Sequence, residues 1–243
     1  MKDTYFNLIE NKKIAKNTYL CVLEGDVSDI SASGQFVNIK LDGFYLRRPI
    51  SVCDVEGDKL TLIYKAVGAG TEVMANTKPG EKWLVLTGLG NGYDLSKSGD
   101  KPLLIGGGAG VPPMYYLAKK LIAQGKAPSV ILGFGSADEV FFKEEFESLG
   151  AKVYVTTVDG SFGIKGFVTN AIDDIDYTYF YTCGPEPMLK AVYEKSTSSG
   201  QFSFEERMGC GFGACMGCTC KTKYGNKRIC RDGPVLEKEE IIW

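Results

Sequence analysis

Residues 103–113 read LLIGGGAGVPP, which is an apolar strand, a glycine-rich turn and the start of a helix. Glycines let the backbone approach a pyrophosphate closely, and the N-terminus of the following helix favours negative charge. Val111 stands where the third glycine of the G-x-G-x-x-G pattern would be, so the match to that pattern is incomplete. The stretch predicts an α/β domain with a dinucleotide site at Gly107, Gly108 and Gly110. A glycine-rich turn without a ligand is the alternative.

The chain after this turn continues to alternate apolar strands with helical stretches. Such alternation requires crossover connections between strands and predicts a mainly parallel sheet. The expected strands are residues 102–105, 129–134, 152–156 and 177–182. The expected helices are residues 113–124, 138–149, 167–172 and 185–195.

A second tight turn follows the last expected strand, where Cys183, Gly184 and Pro185 lead into a helix. In an open α/β sheet the loops at the carboxyl ends of the strands share one crevice, so we expect this turn to flank the same ligand. The loop at residues 135–139 lies between the two turns and carries two acids, Asp138 and Glu139. The 2′-phosphate of NADP would instead need Arg or Lys in this loop. NAD is therefore favoured over NADP as the dinucleotide.

The first part of the chain, to about residue 97, has short β-type runs separated by turn residues. Runs at residues 18–23, 35–40, 59–67 and 82–87 predict a small antiparallel barrel. Within it, Arg47 and Arg48 precede Pro49, Ile50 and Ser51. A guanidinium can bind a phosphate through two hydrogen bonds, and a small hydroxyl or a backbone N–H can contact a flavin ring. A solvated turn is the alternative reading of the arginine pair.

The C-terminal stretch, residues 203–243, is rich in glycine and cysteine and has little core of its own. Cys210, Cys215 and Cys218 have a C-x4-C-x2-C spacing and Cys230 follows, which is the plant-type pattern of a [2Fe-2S] cluster. A zinc site is the alternative, although zinc sites more often use two separated C-x2-C pairs. Reactive or disulfide-bonded cysteines remain a third reading. Cys220 is interpreted as a neighbour of the ligands, because the other four already fit the spacing.

Three further cysteines lie in strand-like or strand-end contexts, and we expect them to be small buried apolar side chains: Cys21, Cys53 and Cys183.

The bulk composition restricts the classes of function. The 243 residues have a formal net charge of −2, which favours neither nucleic acid nor an acidic membrane surface as a partner. No apolar run approaches the roughly 18 residues that a membrane span needs, and the N-terminus has no signal-peptide pattern, so we expect a cytoplasmic protein. The sequence contains no histidine, which removes the usual neutral-pH proton shuttle. We therefore expect bound cofactors to supply the chemistry.

The order of these features resembles the ferredoxin-NADP-reductase-like flavoproteins, over roughly the first 200 residues. The resemblance rests on the G-G-x-G-x-x-P turn at residues 107–113 and on the C-G-P-x-x-M motif at residues 183–188. The R-x-Y-[S/T] flavin motif of that family matches at Arg48 and Ser51, but Ile50 replaces the aromatic residue. The resemblance implies an FAD-binding barrel, followed by a dinucleotide domain.

With the C-terminal stretch included, nearly the whole chain resembles the family of electron-transfer subunits of class 1B dihydroorotate dehydrogenases. The motifs are RRPIS at residues 47–51, Gly70-Thr71, DGSFGIKG at residues 159–166, ERMGCG at residues 206–211 and CRDGPV at residues 230–235. The resemblance implies three units at residues 1–97, 98–202 and 203–243, which bind FAD, NAD and a [2Fe-2S] cluster in that order. It places the cluster on Cys210, Cys215, Cys218 and Cys230. It places FAD on Arg48, Pro49, Ile50, Ser51, Ile63, Tyr64, Lys65, Gly70 and Thr71.

The same resemblance implies a partner subunit that holds FMN and oxidises dihydroorotate to orotate, in a heterotetramer of two subunits of each kind. Electrons would pass from that partner through the cluster and FAD to NAD+. A flavoprotein subunit of a ferredoxin-dependent NAD(P) oxidoreductase or of a cytoplasmic hydrogenase has the same layout and is the nearest alternative. A redox-sensing regulator, with the cluster as its switch, is an alternative from a different class.

Overall fold

The computed structural model describes residues 1–243, and its first part is a closed antiparallel barrel of strand order β1-β2-β5-β4-β3-β6. Its elements are β1 (Lys2–Ala15), β2 (Thr18–Glu24), β3 (Phe36–Lys40), β4 (Arg48–Glu56), β5 (Lys59–Lys65), α1 (Ala69–Asn76) and β6 (Lys82–Leu89). The predicted barrel is confirmed. The predicted runs include neither β1 nor β4, because only Phe6 and Leu8 of β1 and only Val52 and Cys53 of β4 are buried.

The second part is a seven-stranded sheet of order β10-β9-β8-β7-β11-β12-β15, in which only β15 is antiparallel to its neighbour. Its strands are β7 (Pro102–Gly107), β8 (Ser129–Phe134), β9 (Lys152–Thr157), β10 (Ile164–Lys165), β11 (Tyr179–Cys183), β12 (Gly200–Ser203) and β15 (Val235–Glu237). The α-helices that connect the parallel strands are α2 (Val111–Ala123), α3 (Lys143–Ser148), α4 (Thr169–Ile172) and α5 (Glu186–Lys195). None of the helices of the structure could cross a membrane, given their length and apolar content.

The expected helix at residues 138–149 was wrong in extent. A 3-10 turn occupies Ala137–Glu139, and α3 begins only at Lys143. Phe142 has a φ of 65°, in the left-handed region that a helix cannot contain, and its ring packs edge-on against Tyr115 of α2. Tertiary packing therefore overrides the local helical pattern.

The C-terminal stretch forms a small hairpin and a short helix, β13 (Thr219–Thr222), β14 (Gly225–Arg228) and α6 (Ile229–Asp232), before β15 joins the large sheet. Its apolar side chains extend a core that belongs to the sheet, where Ile229 and Leu236 pack in the same cluster as Phe180 and Phe202. This stretch therefore depends on the second part of the chain for its apolar packing, as its composition predicts.

The barrel and the sheet also share a core. Ile63 and Cys53 of the barrel are buried in one cluster with Leu104, Leu117 and Val111 of the sheet and its first helix. Shared burial of this kind fixes the position of the barrel relative to the two glycine-containing turns.

The turn at residues 108–110 has no space for a side chain where it meets the end of β11. A Cβ atom on Gly110 would lie 2.1 Å from the carbonyl oxygen of Cys183. We predict that Gly110→Ala lowers the free energy of unfolding by at least about 2 kcal/mol, because two backbone segments would have to separate. Urea unfolding measures the change. Gly68→Ala is the control, since no atom lies within 4 Å of its Cβ position and the expected loss is below about 1 kcal/mol.

Candidate functional site

The two predicted turns lie side by side because β7 and β11 are parallel neighbours, with Gly106 paired to Cys183. Met188 of α5 packs over them: a Cβ atom on Gly107 would lie 2.4 Å from its sulfur, and one on Gly184 would lie 2.5 Å from its methyl carbon. The turns therefore form one surface of bare backbone at the carboxyl ends of the strands. Such a surface suits a ligand that needs a close approach and N–H donors.

A cavity of about 370 Å³ opens between the barrel and these turns, and we call it the interdomain cavity. It brings together most of the residues that the sequence assigned to FAD and to the dinucleotide. The predicted FAD and dinucleotide residues that line this cavity are Arg48, Pro49, Ile50, Ser51, Ile63, Tyr64, Lys65, Thr71, Gly107, Gly110, Cys183, Gly184 and Pro185.

Several lining residues of the interdomain cavity come from the C-terminal stretch and were not predicted: Ser203, Phe204, Glu205, Glu206, Met208 and Pro234. No spacing rule could have found them, because the return of β15 to the sheet brings the end of the chain back to the cavity.

The two adjacent arginines have different surroundings. Arg47 donates two hydrogen bonds, of 2.8 and 2.7 Å, to the carboxylate oxygens of Asp3, so its guanidinium fork is already occupied. Arg48 lines the cavity, and its guanidinium lies 4.8 Å from the centre of the Phe44 ring. Gly70 does not line the cavity, but a Cβ atom there would lie 2.1 Å from Nε of Arg48. Gly70 therefore leaves room for the Arg48 side chain, whose Nη1 donates a hydrogen bond to the carbonyl oxygen of Leu46 while its other N–H groups have no carboxylate partner.

Tyr64 lines the cavity, but its ring belongs to the barrel core and its hydroxyl donates a 2.9 Å hydrogen bond to Oδ1 of Asn11. Burial raises the pKa of this hydroxyl far above its usual range. Tyr64 can thus offer backbone groups to a ligand, while its phenol is committed to the barrel.

A second cavity, of about 460 Å³, lies along the carboxyl ends of β8 and β9, and we call it the sheet-edge cavity. Gly107 and Pro185 line both cavities, and Gly108 lines this one. Thr156 also lines it, is 1% exposed, and has a hydroxyl without a hydrogen-bond partner. A buried hydroxyl without a partner at the wall of a cavity fits a polar ligand there. Its position at the end of a buried strand gave no local signal.

The two acids of residues 135–139 are both paired with lysines of the barrel. Asp138 lies 3.0 Å from Nζ of Lys16, and Glu139 lies 2.8 Å from Nζ of Lys65. The lysines therefore partly compensate the charges of the two acids. The repulsion that these acids would exert on the 2′-phosphate of NADP is weaker than the sequence suggests.

The four predicted cluster ligands lie near one another: the thiol of Cys210 interacts with that of Cys215, and the thiol of Cys230 interacts with that of Cys218 and more weakly with that of Cys210. No three acid or thiol side chains converge as they would around a single metal ion. A two-iron cluster needs two cysteines for each iron, and this grouping of four thiols is compatible with such a group.

Backbone N–H groups face these sulfurs. Those of Ala214 and Cys215 lie 3.2 and 3.4 Å from Sγ of Cys210, and that of Cys230 lies 3.4 Å from Sγ of Cys218. Burial tends to raise the pKa of Cys210, but the backbone donors outweigh it and lower that pKa to about 6. The loop thus stabilises a thiolate, which is the form that ligates metals. Burial, with Cys218 beside it, raises the pKa of Cys230 to about 12.

Two contacts hold the cysteine loop. Arg228 donates a 3.1 Å hydrogen bond to the carbonyl oxygen of Gly213 and forms an ion pair with Asp232. A Cβ atom on Gly211 would lie 2.5 Å from Nδ2 of Asn38 in β3, so the loop also touches the barrel. The cysteine loop is therefore positioned against both the Cys230 segment and the barrel wall.

The remaining cysteines differ in environment. Cys21 and Cys53 are fully buried, as predicted, and burial raises the pKa of each thiol far above its usual range. Cys183 is only half-buried and lines the interdomain cavity. Cys220 is half-buried in β13, where it pairs with Lys227 of β14, and burial raises the pKa of its thiol.

Comparison with known proteins gives the family. Residues 205–242 match the iron-sulfur cluster binding domain of dihydroorotate dehydrogenase B, and residues 104–194 match an oxidoreductase NAD-binding domain. The dihydroorotate dehydrogenase B (NAD(+)) electron transfer subunit of Bacillus pumilus is 43% identical, over 99% of this chain and 98% of that protein. The chain belongs to the family of dihydroorotate dehydrogenase B electron transfer subunits. The member from Fusobacterium nucleatum subsp. nucleatum is 47% identical, over 96% of this chain and 95% of its own length.

Membership of this family confirms the predicted function, an electron-transfer subunit of an oxidoreductase, and as a subunit the chain works with a partner catalytic subunit. The matched domains confirm iron–sulfur and NAD as predicted cofactor types. Among solved structures, the chain is similar to an NADH-dependent reduced ferredoxin-NADP oxidoreductase that was described for flavin-based electron bifurcation. The two structures have a TM-score of 0.90 and 29% sequence identity, over 98% of this chain and 90% of the other. The higher identity to the dihydroorotate dehydrogenase subunits favours their family over the ferredoxin-linked alternative.

Cys215 and Cys220 offer a matched pair of thiols for testing the ligand set. We predict that Cys215→Ser loses most of its bound iron and sulfide, because one iron loses a thiolate ligand. Cys220→Ser should keep the full content and the same visible spectrum. Iron and sulfide analysis of anaerobically purified protein makes the comparison, and loss of iron from the Cys220 variant would show that the ligand set is misassigned.

Proposed function

We propose that the chain binds FAD in the interdomain cavity, NAD in the sheet-edge cavity and a [2Fe-2S] cluster on Cys210, Cys215, Cys218 and Cys230. In this proposal the chain passes electrons to NAD+. It receives them from a partner subunit that holds FMN and oxidises dihydroorotate. Its relatives are dihydroorotate dehydrogenase B (NAD(+)) electron transfer subunits, which supports dihydroorotate as the electron donor and NAD+ as the acceptor. We further propose a heterotetramer of two subunits of each kind.

One observation carries the proposal: all three parts of the chain line the interdomain cavity. The barrel contributes Arg48, the sheet contributes Gly107, and the C-terminal stretch contributes Met208, two residues before Cys210. A flavin in this cavity would therefore border both the dinucleotide turns and the cysteine loop. That adjacency is what a relay between a cluster and a dinucleotide requires.

The residues of the interdomain cavity suit FAD in charge and in shape. Arg48 supplies a guanidinium for a phosphate, since Arg47 is occupied by Asp3. Pro49, Ile50 and Ile63 supply apolar walls for a ring. When bound, FAD exchanges two electrons as a hydride with NAD and single electrons with a cluster. The side chains of this chain bind and orient the groups.

The three units at residues 1–97, 98–202 and 203–243 remain part of the proposal. Pairing of β12 with β15 supports a C-terminal unit that folds onto the NAD-binding unit. We expect this unit to be ordered by both its cluster and the sheet.

A visible spectrum tests the flavin and the cluster together. Anaerobically purified protein should show flavin bands with broad iron–sulfur absorbance, and NADH should bleach both. In complex with its partner, the protein should reduce NAD+ at the expense of dihydroorotate, whereas reduced ferredoxin should not replace the partner. A colourless protein, or one that NADH leaves unchanged, would refute the proposed relay.

Thr156 provides a test of the dinucleotide site. We predict that Thr156→Val raises the dissociation constant for NAD+ by about threefold to tenfold, because one hydrogen bond to the ligand is lost. The same change should leave thermal stability equal or higher, since it removes a buried hydroxyl without a partner. Titration calorimetry and thermal unfolding measure the two effects. Unchanged NAD+ affinity would remove Thr156 from the site.

A further inference from the structure

Lys65 and Glu139 are the only charged residues that line the sheet-edge cavity. Their side chains are bound to each other, with Nζ of Lys65 2.8 Å from Oε2 of Glu139, and about a quarter of each is exposed. The cavity therefore holds one cation and one anion that neutralise each other.

Lys65 stands where a phosphate would meet the glycine turn. Its Nζ is 3.7 Å from the position of a Cβ atom on Gly108, so the ammonium lies directly over the backbone of the turn. Lys65 also lines the interdomain cavity, which places it at the border between the two. A dinucleotide pyrophosphate on the turn would be attracted by Lys65 and repelled by Glu139.

We infer that Glu139 sets the affinity for the dinucleotide by competing with its phosphates for Lys65. This inference rests on the proposed NAD site. Without ligand, the Glu139 carboxylate holds the Lys65 ammonium. When the dinucleotide binds, the ammonium leaves the carboxylate and pairs with a phosphate, so part of the binding free energy is spent on breaking the ion pair. The competition keeps binding readily reversible at a site where the product must leave.

A neighbouring ion pair supplies a matched control. Asp138 and Lys16 form a second contact between the same loop and the barrel, with a 3.0 Å ion pair and a 2.9 Å hydrogen bond from the Lys16 N–H to the Asp138 carbonyl oxygen. Neither residue lines the sheet-edge or the interdomain cavity. Like Glu139→Gln, Asp138→Asn removes one negative charge from this loop and breaks an ion pair between the loop and the barrel. Unlike Glu139→Gln, it leaves the lining of the sheet-edge cavity unchanged.

The experiment measures the dissociation constant for NAD+ by titration calorimetry on oxidised, cofactor-loaded protein. Glu139→Gln should tighten binding by about threefold to tenfold, as expected for freeing a half-buried lysine, and Asp138→Asn should change it less than about twofold. ADP-ribose, which has the pyrophosphate but lacks nicotinamide, should show the same gain. Equal affinities of the wild type and Glu139→Gln would overturn the inference, as would equal gains in the two variants.

A double-mutant cycle tests whether Glu139 acts through Lys65. Lys65→Met should weaken NAD+ binding, and adding Glu139→Gln to that background should bring no further gain. A gain that persists without Lys65 would overturn the competition and indicate simple repulsion. Absence of NAD+ binding to the wild-type protein would instead refute the proposed site itself, so failure of the inference and failure of the proposed function are distinguishable.

Discussion

The rest of the structure depends on the close packing of two backbone turns at the carboxyl ends of β7 and β11. The packing requires glycine at positions 107, 110 and 184, because side chains there would collide with Met188 or with the backbone of Cys183. Two cavities meet at this contact, since Gly107 and Pro185 line both. The strand pairing that stabilises the sheet thus also holds the two cavities next to each other.

The C-terminal stretch shows how a segment without its own core can still be placed accurately. Cys218 and Cys230 are about 2% exposed and lie in the core shared with the sheet, whereas Cys215 is exposed. The two thiol pairs therefore face different surroundings, one anchored in the protein and the other at the surface. A group held between them would be fixed from the inner side and accessible from the outer side. That asymmetry suits a relay that must meet a partner while staying near its own flavin.

Local signals predicted the features that are local in the sequence. The spacing of Cys210, Cys215 and Cys218 and the glycines of residues 106–110 each lie within one short loop, so the chemistry can be read from adjacent residues. Thr156 and Met208 reach the cavities only through strand pairing or domain docking, and no spacing rule connects them. The expected helix at residues 138–149 failed for the same reason, because the packing of Phe142 against Tyr115 decides where α3 begins.

Of the charged side chains near the cavities, some stabilise the fold and others line a cavity, and composition alone does not distinguish them. Of the two adjacent arginines, Arg47 fastens β1 through Asp3, and Arg48 faces the interdomain cavity. Of the two adjacent acids, Asp138 fastens the loop to Lys16, and Glu139 faces the sheet-edge cavity. In each pair one charge docks two parts of the fold away from the cavities, and the other lines a cavity, although Glu139 also joins the loop to the barrel through Lys65. A chain without histidine can then support redox chemistry, because its charged side chains need only position the bound cofactors, which carry out the electron transfer.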